Sequence, residues 1–250
     1  MFNPRAVILF LSMSSPVAAD TLLIAVASNF RAPAAELARQ FAERTGHDVR
    51  ISSASTGKLY AQIANGAPYD LLLAADSKHP RLLEDSGLGI TGTRFSYAFG
   101  ALVLWSRHAG FTDGGCREAL DNLGDRYLAI ANPDTAPYGA AALQFLTGAG
   151  LWTDVKQNVV YGENIAQALQ FVATDNAQLG LIARSQALDP RLRASTCSWP
   201  VPTSLHDPIE QQAIILQRAA GNVAASAFIE YLAGAAAADI VRRFGYGRPE

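Results

Sequence analysis

Short apolar runs alternate along the chain with segments whose apolar residues recur every three or four positions. Residues 21–26 form an apolar run of strand length, and residues 33–44 repeat apolar side chains at helical spacing. Residues 49–51 again have the composition of a strand, and residues 58–65 carry two apolar side chains four positions apart. The first part of the chain therefore predicts two successive units of a strand followed by a helix.

The alternation continues through the rest of the chain. Further strands are predicted over residues 70–75, 96–105, 127–130, 159–161, 179–182 and 212–216. Further helices are predicted to begin near residue 79, to run through residue 146, and to cover residues 165–172, 223–232 and 235–244. Residues 199–202 contain two prolines, which lack ladder donors, so they predict a crossing segment and not a central strand.

Alternating strands and helices are typical of open parallel α/β sheets, and their order here predicts two α/β lobes. Residues 20–98 and 206–250 would form lobe I, and residues 99–205 would form lobe II. The chain would cross between the lobes near Phe99 and again within residues 205–211, which makes a two-segment hinge. Because ligands bind in clefts that face helix N-termini, the cleft between the lobes is the candidate site.

Two polar turns stand where a predicted strand runs into a predicted helix. They are residues 27–29 (Ala-Ser-Asn) and residues 55–57 (Ser-Thr-Gly). The start of a helix exposes unpaired N–H groups and a partial positive charge, both of which suit an anion. Neither turn holds an acid, so together they predict a site for a fully deprotonated oxyanion. The alternative stays open that each turn only caps its own helix.

Composition and charge narrow the classes of function. The chain has 250 residues, enough for one large domain or two of modest size. Its formal net charge is -2 and its basic residues are scattered singly, so nothing indicates binding to nucleic acid. Half of its residues are hydrophobic, which is typical of a compact globular protein and argues against disorder.

The N-terminus has the features of a secretory signal peptide over residues 1–19. Arg5 supplies a positive charge, residues 6–13 form an apolar stretch, and residues 17–19 (Val-Ala-Ala) give a small-residue cleavage site. The apolar stretch is too short to span a bilayer, although a retained N-terminal anchor is the alternative. The mature protein is therefore expected to be exported.

Export changes the interpretation of Cys116 and Cys197, because disulfides persist in oxidising compartments. A bridge between them would close a long loop and contribute about 4 kcal/mol in the chain-entropy model. Two free buried thiols are the alternative. The sequence has no Cys-x-x-Cys motif and its four histidines are dispersed, so no zinc site is predicted.

Seven short segments point to a known family when they are taken together, in this order and spacing. They are residues 24–30 (IAVASNF), 52–63 (SSASTGKLYAQI), 65–70 (NGAPYD) with 74–76 (AAD), 132–133 (NP) with 136–139 (APYG), and 243–247 (RFGYG). The chain resembles, over essentially its whole mature length, the periplasmic molybdate-binding proteins of ABC importers, a branch of the two-lobed substrate-binding proteins. The resemblance implies a type II periplasmic-binding-protein fold with the ligand in the cleft between the lobes.

The resemblance also implies the function and the partners. It implies that a monomeric periplasmic protein captures molybdate, and also tungstate, and delivers it to the membrane permease of an ABC importer. No reaction and no cofactor are implied, because molybdenum or tungsten is present only as the metal of the bound oxyanion. The alternatives are a binding protein for another small oxyanion such as sulfate, or an exported hydrolytic enzyme. An enzyme of that class would need a nucleophile, and no Gly-x-Ser-x-Gly motif is present.

Five residues match the positions that hold the oxyanion in that family. Ser28 and Thr56 match first-lobe donors through hydroxyl and backbone N–H groups, with Asn29 beside Ser28. Tyr138 and Ile165 match second-lobe positions, and Ile165 offers only its backbone N–H. Tyr138 could instead simply cover its turn, and the side chain of Ile165 fits a core position.

One departure from the family concerns residue 183. Many members place a tyrosine after the strand that corresponds to residues 179–182, whereas this chain has Ala183. Tyr138 is the expected substitute, as in a second subgroup of the family. A third class of function, the ligand-sensing module of a transcription regulator, shares the two-lobed fold. It would need a helix-turn-helix region, and the N-terminus is instead a predicted signal peptide.

Overall fold

The computed structural model describes residues 21–108, 110–111, 115–192 and 195–248. The predicted signal peptide of residues 1–19 lies outside the described residues. The described part of the chain forms two five-stranded sheets with helices packed against them, which confirms the predicted α/β class with two lobes.

The elements are numbered in chain order. The strands are β1 Thr21–Ala27, β2 Asp48–Ala54, β3 Leu71–Leu73, β4 Phe95–Gly100, β5 Leu102–Ser106, β6 Leu128–Ala131, β7 Val159–Gly162, β8 Leu179–Ala183, β9 Cys197–Pro200 and β10 Ile209–Ile215. The α-helices are α1 Arg31–Thr45, α2 Thr56–Ala64, α3 Lys78–Asp85, α4 Gly115–Asp121, α5 Pro137–Gly148, α6 Trp152–Val155, α7 Ile165–Ala173, α8 Arg184–Ala187, α9 Val223–Ala233 and α10 Ala235–Arg243. Short 3-10 helices cover Ser28–Phe30, Lys156–Asn158, Thr203–Leu205 and Gln217–Ala219.

The first sheet has the strand order β2-β1-β3-β10-β4. β1 pairs in parallel with β2 and β3, whereas β10 is antiparallel to β3 and β4. Along β1, Ile24 and Val26 belong to the hydrophobic cluster on one face of the sheet, and Ala25 belongs to the cluster on the other. Because both faces are covered, β1 is a nearly continuous apolar run, and this is the pattern from which the sequence predicts it.

The second sheet has the strand order β7-β6-β8-β5-β9. β6 lies parallel to β7 and β8, and β5 is antiparallel to β8 and β9. This sheet has a hydrophobic cluster of its own, in which Trp105, Phe145 and Leu181 are buried. Each sheet therefore has a core around it, the second of which also includes Ala27 and Ala75 of the first lobe. The chain passes between the two sheets twice.

The prediction of a single strand over residues 96–105 is wrong. The chain forms β4 in the first sheet and β5 in the second, and Ala101 separates the two strands. β5 is buried throughout and β4 is half-buried to buried, so the apolar run continues through the change of sheet. A crossing near Phe99 is expected from the order of the elements, but the apolar run itself does not show where β4 ends and β5 begins.

The prediction of a crossing segment at residues 199–202 is wrong in its first half. Cys197–Pro200 form β9, which pairs antiparallel with β5 at the edge of the second sheet. Pro200 is tolerated there because an edge strand does not need a donor on its outer side. The second crossing follows β9 and leads into β10 of the first sheet.

A disulfide ties α4 to β9 inside the second lobe. Cys116 and Cys197 are fully buried, their Cα atoms are 5.5 Å apart, and they are separated by 81 positions in the sequence. The alternative of two free thiols is therefore not what the structure shows.

No single helix among the described residues is long and apolar enough to cross a membrane. α9 and α10 meet the criteria of length and composition only as a pair, and they are bent by 65° relative to each other.

Candidate anion-binding site

A small cavity lies between the two lobes, where helix starts from both lobes face each other. Its empty space, including the open solvent at its mouth, is about 180 Å³. The lining residues from the first lobe are Ala27, Ser28, Asn29, Ser55, Thr56 and Ala75, and those from the second lobe are Ala136, Pro137, Tyr138 and Ile165. The structure thus brings together in one cavity all five residues that the sequence analysis selected.

None of these described lining residues carries a charge. The donors available are hydroxyl groups and the N–H groups at the starts of the Ser28–Phe30 helix, α2, α5 and α7. The first N–H groups of a helix have no partner within the helix, and they carry its partial positive charge. The cavity is therefore suited to an anion that needs donors and no acceptor.

A wider, open groove continues from Ser28 and Asn29 towards the surface. Two of the four arginines on its walls pair with acids: Arg39 lies 2.8 Å from Glu36, and Arg191 lies 2.6 Å from Asp189. The groove is larger than the cavity, but its walls carry the carboxylates of Glu36 and Asp189, which repel an anion, whereas the described cavity wall carries none. We therefore place the candidate site in the small cavity.

In neither polar turn does the residue before the helix cap it with a side-chain hydrogen bond. Ala27 precedes the Ser28–Phe30 helix and Ser55 precedes α2, and neither position shows a side-chain capping hydrogen bond. The capping alternative therefore does not account for these polar residues.

The two hydroxyls of the second turn are both buried but differ in their partners. Thr56 Oγ1 accepts a hydrogen bond from the Ala75 N–H at 3.0 Å, so its own hydrogen is still available for donation. Ser55 Oγ is buried and has no hydrogen-bond partner in the described part of the chain. The sequence analysis selected Thr56 and missed Ser55, although Ser55 stands in the same turn.

Asn29 contributes through its backbone, because its side chain is engaged elsewhere. Asn29 Nδ2 donates to Gln211 Oε1 at 2.9 Å and to the Tyr246 hydroxyl at 3.0 Å. A side-chain amide has two hydrogens, so both are used in these bonds. What Asn29 can offer an anion is therefore its backbone N–H in the first turn of the helix.

Tyr138 is brought into the cavity by the start of α5. Pro137 occupies the first helical turn, where its missing N–H is no loss, and Tyr138 follows it. The ring of Tyr138 is only 1 % exposed, and burial raises the pKa of its hydroxyl well above the ordinary value, so the hydroxyl stays protonated. The hydroxyl contacts Gln211 in β10, across the cleft, and does not merely cover its own turn.

Ile165 is the first residue of α7, and its side chain is buried in the core. The preceding residue, Asn164, caps the helix: its Oδ1 accepts from the N–H groups of Ala166 at 2.9 Å and Gln167 at 3.2 Å. The cap therefore does not use the Ile165 N–H, and Ile165 lines the cavity.

Several contacts hold the lobes together around the cavity. The Gly57 N–H donates to Thr135 O at 2.9 Å, and Lys58 Nζ lies 2.8 Å from Glu163 Oε2. A Cβ built on Gly57 would lie 2.9 Å from Thr135 O, so this close approach requires glycine. The structure places Lys58 in a surface ion pair and not in the cavity.

The remaining acids near the site have structural partners. Asp70 accepts from the Leu23 N–H and pairs with Arg218. Asp76 accepts from the N–H of His79. Among the described residues, no cluster of three or more His, Cys, Asp or Glu side chains could hold a metal ion.

Residues 22–247 match the family described as "Bacterial extracellular solute-binding protein". The molybdate-binding protein ModA of Azotobacter vinelandii is 46% identical over 90% of this chain and 88% of its own length. ModA of Rhodobacter capsulatus is 37% identical over 96% of this chain and 94% of its own.

Solved structures agree with this relationship. The periplasmic molybdate-binding protein of Azotobacter vinelandii superposes with a TM-score of 0.85 and 38% identity, covering 92% of this chain and all of that one. The sulfate-binding protein SubI of Mycobacterium tuberculosis has a TM-score of 0.73 at 16% identity, over 93% of this chain and 88% of its own, so it shares the fold alone.

Proposed function

This chain belongs to the family of bacterial extracellular solute-binding proteins, and we propose that it binds molybdate in the cavity between its lobes. It is a binding protein and not an enzyme, in keeping with its relatives. Bound molybdate is then handed to the membrane permease of an ABC importer. Tungstate, which has the same charge and shape, is bound by the same groups.

The observation that carries this proposal is the chemistry of the cavity wall. Its described lining residues offer hydroxyl and N–H donors from both lobes and hold no carboxylate. Phosphate retains a proton at neutral pH and needs an acceptor, whereas molybdate, tungstate and sulfate need none. Selection against sulfate then depends on the size of the cavity, because metal–oxygen bonds are longer than sulfur–oxygen bonds.

We assign the following donors to the oxyanion. The hydroxyls of Ser28, Ser55 and Thr56 and the backbone N–H of Asn29 come from the first lobe. The hydroxyl of Tyr138 and the backbone N–H of Ile165 come from the second lobe. The case for Ser55 is its orphaned, buried hydroxyl, since a buried polar group without a partner is costly unless a ligand satisfies it.

The division into lobes follows from the same proposal. We propose a lobe I of residues 20–98 with 206–250 and a lobe II of residues 99–205, with β4 of the first sheet running two residues past that boundary to Gly100. The lobes close on the ligand by bending at the two crossings. The protein acts as a monomer in the periplasm, to which the N-terminal signal peptide directs it.

A thermal-shift panel tests the proposed function. A ligand that binds only the native state raises its stability by mass action, so molybdate and tungstate should raise the melting temperature and phosphate should not. Equal stabilisation by phosphate would show that the site contains an acceptor and that the argument from uncharged donors is wrong. No shift with molybdate at any concentration would overturn the proposal as a whole.

A further inference from the structure

A fully buried glutamine, Gln211, lies between the two lobes directly behind the cavity. It belongs to β10 of the first sheet and is 0 % exposed. The pairing of β10 with β4 shifts register between Gln211 and Gln212. Such β-bulges re-aim side chains and are enriched beside functional sites.

The two ends of the Gln211 amide have different partners. Its Oε1 accepts from Asn29 Nδ2 at 2.9 Å and lies 3.1 Å from the Tyr97 hydroxyl, whose single hydrogen also faces Ala74 O at 3.0 Å. Asn29 Nδ2 can only donate, so the Gln211 oxygen must face it, and the Nε2 end is directed the other way. Gln211 Nε2 then donates to the Tyr138 hydroxyl at 3.4 Å. This last bond spans the cleft, because Tyr138 belongs to the second lobe.

The backbone of the first crossing is shaped to admit this contact. Gly100 is the last residue of β4, immediately before the chain enters the second sheet. A Cβ built on Gly100 would collide with the Tyr138 hydroxyl and would lie 2.9 Å from Gln211 Nε2. The tyrosine hydroxyl is therefore seated against the hinge, and the glutamine amide is its neighbour there.

We propose that Gln211 is a positioning residue that directs the hydroxyl hydrogen of Tyr138 towards the bound oxyanion. A phenol has one hydrogen, and when its oxygen accepts from Gln211 Nε2 that hydrogen must point elsewhere. The tyrosine is buried, so no bulk solvent competes for it. The cavity is the direction in which an acceptor would stand once the oxyanion is bound.

This inference rests on the proposed function, and it adds a residue that does not itself touch the ligand. It also explains why a polar side chain is completely buried in β10. Asn29 holds the amide in one orientation, and the amide in turn holds the Tyr138 hydroxyl. The direction of the Tyr138 hydroxyl, a donor of the second lobe, is therefore determined by residues of the first lobe. It consequently depends on lobe closure.

A double-mutant cycle tests the proposal, with molybdate affinity measured by calorimetric titration. Tyr138→Phe should weaken binding by about tenfold to a hundredfold, the range expected for one hydrogen bond to a charged group. Gln211→Leu should weaken binding of the parent by a smaller factor. In the Tyr138→Phe background, Gln211→Leu should change the affinity by no more than about twofold, because the group on which it acts is gone.

Gln212 supplies the matched control. It is the neighbouring glutamine of the same strand, it is 6 % exposed, and its Nε2 donates to Ser96 Oγ at 3.1 Å, away from the cavity. Gln212→Leu removes a comparable buried amide and should leave molybdate affinity unchanged. An equal loss of affinity in Gln212→Leu and Gln211→Leu would assign the effect to general damage to β10 and would overturn the proposal.

Two other results would overturn the positioning role. One is full affinity in Gln211→Leu, and the other is a loss that simply adds to that of Tyr138→Phe. If Gln211→Leu does not fold, Gln211→Glu keeps the acceptor for Asn29 and Tyr97 but turns the donor into an acceptor. Tyr138 would then donate to the glutamate, so the affinity should fall sharply, and unchanged affinity would refute the idea. Failure of the parent protein to bind molybdate would instead refute the proposed function itself.

Discussion

Replacing Ser55 by alanine should separate ligand binding from stability more cleanly than any other change at the site. Ser55 Oγ is buried, lines the cavity and has no hydrogen-bond partner in the described part of the chain. Ser55→Ala therefore breaks no hydrogen bond within the described protein. We expect the ligand-free protein to be as stable as the parent or up to about 1 kcal/mol more stable, because an unsatisfied buried hydroxyl is removed.

Molybdate binding, in contrast, should become weaker in Ser55→Ala. A hydrogen bond to a charged group contributes about 1.5–3 kcal/mol, which corresponds to a tenfold to hundredfold loss of molybdate affinity. At a fixed excess of molybdate the stabilisation by ligand falls by the same free energy. For a protein of this size that is a decrease of about 3–12 °C in the molybdate-induced shift of the melting temperature.

Thermal unfolding with and without molybdate measures both quantities in one assay, and Ser53→Ala is the matched control. Ser53 Oγ is also buried without a partner among the described residues, but it does not line the cavity, so its removal should leave the molybdate shift unchanged. Thr56→Val gives the contrasting pattern: the Ala75 N–H loses its acceptor, so stability without ligand falls as well. A Ser55→Ala protein that is less stable without molybdate, yet binds it as tightly as the parent, would refute the reasoning.

Three further predictions address the disulfide, the closing of the lobes and the effect of pH. Replacing Cys116 and Cys197 together by serine should lower the free energy of unfolding by about 4 kcal/mol in denaturant titrations, and the unreduced parent should show no alkylatable thiol. Gly57→Ala places a Cβ against Thr135 O and should weaken molybdate binding about fivefold to a hundredfold in calorimetry without destabilising the ligand-free protein. Because burial raises the pKa of Tyr138, its hydroxyl remains a donor as pH rises. Molybdate affinity should therefore show no tyrosine titration between pH 7 and about 10. A loss of affinity with a midpoint in that range would contradict the burial argument.

The sequence predicts the alternation of strands and helices well, because most strands are buried on both faces and most helices have one apolar side. β1, β6 and β8 are continuous apolar runs, and residues in α1 repeat at helical spacing. It does not predict the break at Ala101, where one apolar run serves two sheets. Nor does it predict β9, because its proline argues against a strand unless the strand is known to be at an edge.

The candidate site could be predicted only in part. The two polar turns and the family resemblance indicate Ser28, Asn29, Thr56, Tyr138 and Ile165, and the structure places all five around one cavity. Which atom each residue offers could not be read from the sequence, because it depends on distant partners. The side-chain amide of Asn29 donates both of its hydrogens to Gln211 and Tyr246, which lie 182 and 217 positions further along the chain. No local sequence pattern indicates those bonds.

The role of Gln211 also could not be predicted from the sequence, because it depends on distant partners. In the sequence it is one of two adjacent glutamines in a strand, and nothing distinguishes it from Gln212. Only the register shift in β10 and the approach of Tyr138 from the other lobe separate their roles. Long-range contacts of this kind decide function here, and they become visible only in three dimensions.

The central claim is that a cavity of uncharged donors between the lobes binds a fully deprotonated oxyanion and selects molybdate. Native mass spectrometry of the mature protein, mixed with equal concentrations of molybdate, tungstate, sulfate and phosphate, tests this most directly. The account predicts one molybdate or tungstate per protein chain and no bound phosphate. A phosphate adduct of comparable abundance, or a chain that stays free of every oxyanion, would contradict it.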